Sequence, residues 1–335
     1  MLKELFHRNS IKIFSALEHL GLAKIARFFL AKKLNNNLKI SLPVFMLATP
    51  ELQKSNDWYG HATALKKYAG IKNDYSLKAA IEHGPFFGDF IWPQDLQNPL
   101  PAIITFSKNR GKFLRKKTNK RISSIGPYIH YAQPSLTPKQ FNKEKKRLGK
   151  NLLVFPVHST SISPSDYDIE NFCREIKRVA KNFDSVRVCL YWKDILHGKD
   201  EYFKKQGFGC ATAGHIFDPM FLPRLKSIIE LSSATMSNAF GSQLGYSVFM
   251  KKPHYLFVQK IKFSGNNLDV KRALYAAKTK EYRDMEKAFS KYSNNVTKKQ
   301  YDLASSFFGF DQIKSPKQIK KIFEVCENLW QKDLY

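Results

Sequence analysis

The chain has 335 residues, 43% of them apolar and 14% aromatic, and carries 56 Lys and Arg against 28 Asp and Glu, a net charge of +28 with histidine neutral. That apolar content excludes disorder, so the charge belongs to the surface and its partners: an anionic membrane, nucleic acid, or a negatively charged small molecule or polymer. The length fits two domains, and the four scattered cysteines, with no CxxC pair, give no zinc pattern and fit a reduced, cytoplasmic protein.

Residues 1–39 place Leu2, Leu5, Phe6, Ile13, Phe14, Leu17, Ile25, Phe28 and Phe29 mostly at three- and four-residue steps among Lys3, Arg8, Lys12, Lys24, Arg27, Lys32 and Lys33. This is a basic amphipathic helical segment, broken near Gly21. It either lies in a membrane interface or packs on the protein's own core. No apolar run reaches the roughly 18 residues needed to span a bilayer, and no cleavable signal peptide is expected.

Residues 40–148 read as a first α/β domain. Leu77, Ala80 and Ile81 lead into the Gly/Pro-rich turn of IEHGPFFGDF, which delivers Glu82, His83 and Asp89 to a loop. A carboxylate or imidazole there suits a general base, while Asp89 serves as readily to brace the turn. AIITFS (102–107) is a buried strand. Eight basic residues and no acid follow between Lys108 and Arg121, either a solvated face or a contact for an anionic acceptor or membrane. SSIGPYIHYA is another strand and loop, and the basic helix of 139–151, stopped by Gly149, connects the domains.

Residues 149–270 form the second domain. LLVFPV (152–157), VRVCLYW (186–192), ATMS (234–237) and PHYLFV (253–258) are strands, separated by stretches with helical spacing. Such alternation predicts an open α/β sheet, in which ligands bind outside the carboxyl ends of the strands. Those ends are polar. FPVHSTS supplies His158 and Ser159, and GHIFDP supplies His215 with Asp218 nearby. SNAFGSQLGY places Ser237, Asn238, Gly241 and Ser242 where a helix opens, so that free amides and the positive helix end can hold a phosphate, or the small residues serve packing alone. His158 and His215 either protonate or hydrogen-bond a leaving phosphate, or bond backbone within their own loops. Cys189 is a small core residue. Residues 271–335 are helical, with Ile319, Ile322, Phe323, Cys326, Leu329 and Trp330 on one stripe, and can pack back on the first domain. No DxD, GxSxG or HExxH motif occurs, so no metal held by paired aspartates is expected.

Two Rossmann-like domains facing across a cleft, with these strand-end residues, resemble the two-domain GT-B glycosyltransferases of bacterial capsule and lipopolysaccharide synthesis. The nearest flavour is the sialyltransferase-like enzymes that use CMP-activated nonulosonic or Kdo-type sugars. In that family an acidic-acidic-Gly motif supplies the base; Glu82-His83-Gly84 stands in the comparable place, with His83 for the second acid. The family's His-Pro motif, which contacts the CMP phosphate, is represented by His215-Ile216, with His158 competing. Its Ser/Thr pair on the phosphate looks like Ser237-Asn238, with Ser242 beyond. The resemblance implies a metal-independent transferase without cofactor. A CMP-sugar donor sits in the second domain, a glycan or lipid-linked glycan acceptor enters from the first, and the enzyme works peripherally on the inner face of the cytoplasmic membrane. Domain closure would exclude water. The alternatives are a teichoic-acid-type polyol-phosphate transferase using CDP-glycerol, a non-catalytic assembly protein of the same pathway, and a basic nucleic-acid-binding protein. The last is disfavoured because the aromatics fall in apolar strands and helices rather than among the basic runs.

Overall fold

A computed structural model describes residues 51–159, 165–263 and 267–332; the amphipathic segment expected over 1–39 lies outside them. The chain enters through a 3-10 segment, Lys54–Gly60, and helix α1 (His61–Tyr68). Next come β1 (Ala80–Ile81), α2 (Pro93–Gln97), β2 (Ala102–Thr105), α3 (Lys108–Arg115) and β3 (Arg121–Ser124). A 3-10 turn, Tyr128–Tyr131, and α4 (Pro138–Leu148) lead to the second lobe. This holds β4 (Asn151–Phe155), β5 (Ser165–Asp166), α5 (Ile169–Ala180), β6 (Ser185–Cys189), α6 (Trp192–Leu196), α7 (Lys199–Lys205) and β7 (Gly209–Ala211). It continues with α8 (Phe221–Leu231), β8 (Ala234–Ser237), α9 (Ser242–Phe249), β9 (His254–Leu256) and β10 (Lys262–Phe263). Helices α10 (Asn267–Lys278), α11 (Lys280–Phe289), α12 (Lys298–Phe308) and α13 (Pro316–Lys332) follow.

The expected two-lobed α/β architecture is present. Among the described residues the first sheet is β1-β2-β3, parallel, with Ala80 opposite Ile103 and Ile103 opposite Ile122. The second is β7-β6-β4-β8-β9, also parallel throughout. Counted within its lobe this is the order 3-2-1-4-5, the doubly wound arrangement with a switch point between β4 and β8. A small antiparallel pair, β5 with β10, lies outside both sheets.

Local chemistry explains most boundaries. All five residues of β4 are buried, as in a central parallel strand covered on both faces. Helix α5 opens where Asp168 accepts a hydrogen bond from the Asn171 amide at 2.8 Å, and it buries Phe172, Cys173, Ile176 and Val179 on one face. The basic run after β2 folds as α3, capped by Ser107, which accepts from the Arg110 amide at 3.2 Å. Arg110 and Leu114 point inward and Lys108, Lys112 and Arg115 outward. The strand expected over 186–192 ends at Cys189, because Tyr191 and Trp192 turn into α6.

One apolar core joins the first lobe, α8, α9 and the C-terminal helices through Ile104, Phe106, Leu153, Leu244 and Phe308. A second lies between the larger sheet and its outer helices, around Val154, Phe172, Ile176 and Phe203. Helix α9 approaches α12 at Gly245, where an added Cβ would sit 2.5 Å from the Phe308 ring. Helix α13 reaches the first lobe, where the Tyr75 hydroxyl donates to Glu327 at 2.9 Å and the Tyr75 ring stacks on Phe323. No helix among the described residues is long and apolar enough to cross a membrane.

Candidate active site at the lobe seam

The switch point between β4 and β8 is bridged from within. The Asn238 side chain accepts from the Val157 amide at 2.6 Å and donates to Gln259 at 3.0 Å, fixing the spacing of the loops that leave the two strands. The Ser237 hydroxyl donates to the Ala239 carbonyl at 2.9 Å and lies 2.9 Å from His254 Nε2, while Thr235 lies 2.7 Å from His254 Nδ1. Burial pushes His254 down to about 3, so it is a neutral imidazole within this chain of bonds. Ser237 and Asn238 are both fully buried. They are therefore struts under the loop that opens α9 rather than the ligand contacts expected of them, since their hydrogen-bonding atoms are already used inside the fold. Gly241, in extended conformation, and the half-buried Ser242 stand at the opening of α9.

Glu82 also departs from its expected role. It is fully buried; Arg110 donates to it through Nε at 2.9 Å and Nη2 at 2.5 Å, and Thr105 donates at 2.6 Å. A carboxylate locked by a guanidinium and a hydroxyl has no access to a substrate proton. Arg110 in turn donates to the Gly88 carbonyl at 3.1 Å, so the pair pins the turn that follows His83. Asp89 is exposed and accepts from the Tyr275 hydroxyl, which holds its carboxyl below the usual range. It braces that turn against α10.

His83 behaves differently. It leaves the carboxyl end of β1 and stacks on His61 at 5.0 Å between centroids, with Trp58 at 5.1 Å and Tyr59 at 6.1 Å. Tyr59 and Gly60 are both left-handed, with φ of 57° and 69°. A Cβ on Gly60 would lie 2.5 Å from the Pro219 carbonyl oxygen, and the Tyr59 amide donates to Ile216 at 2.5 Å. This strained corner of the first lobe is thus docked on the 216–219 loop of the second. Across the seam the Tyr59 ring packs edge-on against Phe221 at 5.0 Å, and on the second lobe His158 packs on Tyr191 at 4.6 Å and Trp192 on His215 at 4.3 Å.

Histidines from both lobes therefore meet in one aromatic seam at the carboxyl ends of parallel strands. Burial lowers His83 and His215 to about 4 each and takes His61 well below its ordinary value. His215 Nδ1 accepts from the Phe217 amide at 3.2 Å, and its loop is held by the buried Asp218–Arg224 ion pair at 2.7 Å. His158 is exposed, with Nδ1 3.2 Å from the Ser159 carbonyl. Ser159 donates through its hydroxyl to Asp194 at 3.0 Å, and Asp194 also pairs with Lys199 at 2.8 Å. Among the described residues, both ring nitrogens of His83, His61 Nδ1, Trp58 Nε1 and Trp192 Nε1 are buried without a hydrogen-bond partner. Buried polar atoms are nearly always paired, so such a concentration marks a place for a polar ligand or for water. Positive charge surrounds it: Arg272 acts on Tyr59 and His158, Lys193 lies over Trp192, and Lys54 lies over Phe217.

Trp58, Tyr59, His61, Tyr191, Trp192 and Arg272 were not legible as site residues from sequence. Tyr191 and Trp192 end a run with strand periodicity and so look like core. The one available signal for the others is the density of aromatic and imidazole side chains in WYGH, at 58–61.

No family model matches the chain, and no curated protein matches its sequence. Among solved structures it is similar to the wall teichoic acid polymerase TagF, at TM-score 0.38 and 11% identity over 70% of this chain and 59% of that one. It is similar to S. aureus MnaA in complex with UDP, at TM-score 0.37 and 9% identity over 77% and 74% of the two chains. It is also similar to the UDP-GlcNAc 2-epimerase of Neisseria meningitidis bound to UDP-GlcNAc, at TM-score 0.37 and 12% identity over 81% of each chain. The chain spans less than two thirds of the polymerase's length. These distant likenesses concern the α/β outline, and no residue role is carried over from them.

Proposed function

We propose that the chain is a glycosyltransferase of bacterial surface-polysaccharide synthesis, moving an acidic nonulosonic or Kdo-type sugar from a CMP donor to a glycan acceptor at the lobe seam. The observation that carries this reading is the group of five buried, unpartnered ring nitrogens on Trp58, His61, His83 and Trp192, beside His215 and within the field of Arg272 and Lys193.

In this reading His83 is the general base. Its neutral imidazole takes the proton of the acceptor hydroxyl as that oxygen bonds the anomeric carbon. The bond from that carbon to the CMP phosphate oxygen breaks, and its electron pair leaves on the phosphate. The phosphate's negative charge, once bound, raises the proton affinity of the depressed imidazole. His158 and His215 serve the phosphate side with Ser242 and the amino end of α9, and the basic residues supply the counter-charge. The walls of Trp58, Tyr59, Tyr191 and Trp192 limit water, which would otherwise hydrolyse the donor. The reading uses no metal and no cofactor. The outward lysines of α3 would face an anionic membrane, placing the enzyme on its inner, cytoplasmic face.

The test is a thermal-shift series with CMP, UDP, CDP and CDP-glycerol, followed by turnover of CMP-sugars. A ligand that binds only the folded chain raises its melting temperature. CMP is expected to give the largest shift among the mononucleotides, and CMP-sugars are expected to be consumed. Shift and CMP release with CDP-glycerol alone would reassign the chain to phosphoglycerol transfer, and no shift with any of them would remove the nucleotide site.

A further inference from the structure

Among the described residues, four ring nitrogens without a hydrogen-bond partner gather on the first-lobe side of the seam: both of His83, Nδ1 of His61 and Nε1 of Trp58. They are not chemically alike. A neutral imidazole carries one donor and one acceptor and exchanges them by tautomerism, so either histidine adapts to what it meets. An indole N–H only donates. Trp58 lies beside His83, with ring centroids 5.1 Å apart and planes inclined by 48°, and its buried Nε1 needs an acceptor oxygen that no described residue supplies.

The backbone holds that donor in place. Trp58 leaves helical geometry inside the 3-10 segment, at φ −65° and ψ 137°, and the two residues after it are left-handed. Among the described residues only Tyr59 and Lys251 hold a positive φ without being glycine. Tyr59 is fixed there by its amide, which donates to Ile216, and Gly60 by its close approach to the Pro219 carbonyl. A strained corner kept by a docking contact points to a function for the side chain it presents, here the indole.

What the donor reads follows from its neighbour. A general base takes the proton of the oxygen that attacks the anomeric carbon, so a group beside the base lies next to whatever that carbon carries. An aldose carries hydrogen there. A nonulosonic or Kdo-type sugar carries its carboxylate there, and an ionised carboxylate only accepts. Arg110, whose ion pair pins the turn after His83, is already bound to Glu82 and the Gly88 carbonyl. Arg272 lies over Trp92 at 5.7 Å and acts on Tyr59 and His158, with no part in the depression of His83. A cation touching His83 would lower its proton affinity further, whereas a neutral indole leaves the imidazole able to act as base. The phosphate side has an indole of its own, Trp192, packed on His215 with Lys193 5.4 Å over its ring. We propose that Trp58 is a specificity-determining residue for the donor sugar: its Nε1–H donates to the carboxylate on the anomeric carbon while His83 faces the attacking oxygen. This assignment rests on the transferase reading above and names the residue that selects acidic donors.

The test compares turnover of a CMP-activated acidic ketosugar with that of its carboxamide, an uncharged isostere, by wild type and Trp58→Phe. Melting temperature and the CMP-induced shift on the same samples report folding and nucleotide binding. Wild type is expected to prefer the acid in kcat/KM. Losing a hydrogen bond to a charged group is expected to lower kcat/KM for the acid by about 10- to 100-fold and for the amide by less, so the preference shrinks. A substitution that merely loosened the corner would lower both alike. In wild type isotope-labelled at tryptophan, the Trp58 Nε1–H resonance is expected to move downfield with the acid and less with the amide, a readout that needs no variant to fold. An unchanged acid-to-amide ratio in Trp58→Phe, or an Nε1–H resonance indifferent to the carboxylate, would overturn the assignment and leave the transferase standing, because CMP release would continue. Absence of both CMP release and a CMP shift in wild type would remove the transferase reading and this assignment with it.

Discussion

The imidazoles of His83 and His61 stack with centroids 5.0 Å apart and planes inclined by 18°, and both ring nitrogens of His83 lack a hydrogen-bond partner among the described residues. Two cations could not share that contact, so the stack is stable with neutral rings. Each folded-state value lies below the ordinary one, His83 at about 4. Between that value and about 6.5 the unfolded chain binds protons that the folded chain does not, so stability falls as pH drops through this window. His83→Phe, which keeps a stacked ring and removes the proton site, should reduce that loss by about 1 to 3 kcal/mol. Denaturant titrations of both chains at pH 7 and pH 4.5 check this; an equal loss in both would show that His83 titrates normally.

Glu82 is assigned to the framework. Removing one partner of a buried ion pair leaves the other charge uncompensated, so Glu82→Ala should cost about 3 to 5 kcal/mol. The molecules that remain folded should turn over CMP-sugar within a few-fold of wild type. Melting curves and turnover per folded molecule separate the two effects. Unchanged stability with abolished turnover would return Glu82 to the chemistry.

Asp95 is buried, and neither of its carboxylate oxygens has a hydrogen-bond partner among the described residues. Burial and the nearby charge of Glu82 push its carboxyl up to about 7, against the pull of Arg110 and Lys120. A carboxyl raised in the folded state costs stability as pH rises from the ordinary carboxylate value toward 7. Asp95→Asn should therefore stabilise the chain by roughly 1 to 3 kcal/mol at pH 8 and scarcely at all at pH 4. Denaturant unfolding at the two pH values measures the difference, and equal effects at both would contradict it.

Ser237 offers a test of the strut assignment. Ser237→Ala leaves His254 Nε2 buried without its partner and should cost about 1 to 3 kcal/mol. The thermal shift produced by CMP should persist. If stability were unchanged and the nucleotide shift disappeared, the hydroxyl would be a ligand contact after all.

The fold was legible where the pattern depends on burial alone. ATMS at 234–237 is β8 to the residue, AIITFS contains β2, and the Ser315-Pro316 start signal opens α13. The site was legible in part. The positions of His83 and His215 were readable, because both follow parallel strands, β1 and β7, whose carboxyl ends face the seam. Ser237 and Asn238 satisfy the same rule and are nevertheless struts, because whether a strand-end side chain turns outward or bonds inward depends on partners far along the chain, here His254 and Gln259. Glu82 was misread for the same reason: its partner Arg110 lies in a run that resembles solvated charge. Trp58 and His61 reach the seam only because Tyr59 and Gly60 turn left-handed against Pro219, a tertiary contact without a local signature.

The measurement that bears most directly on the account is turnover of CMP-sugar by His83→Gln beside wild type, with melting temperature and CMP affinity recorded on the same samples. Loss of a general base predicts a fall in kcat of roughly 10²-fold or more, with the melting temperature and the nucleotide shift retained. A His83→Gln chain that folds, binds CMP and turns over at the wild-type rate would contradict the account.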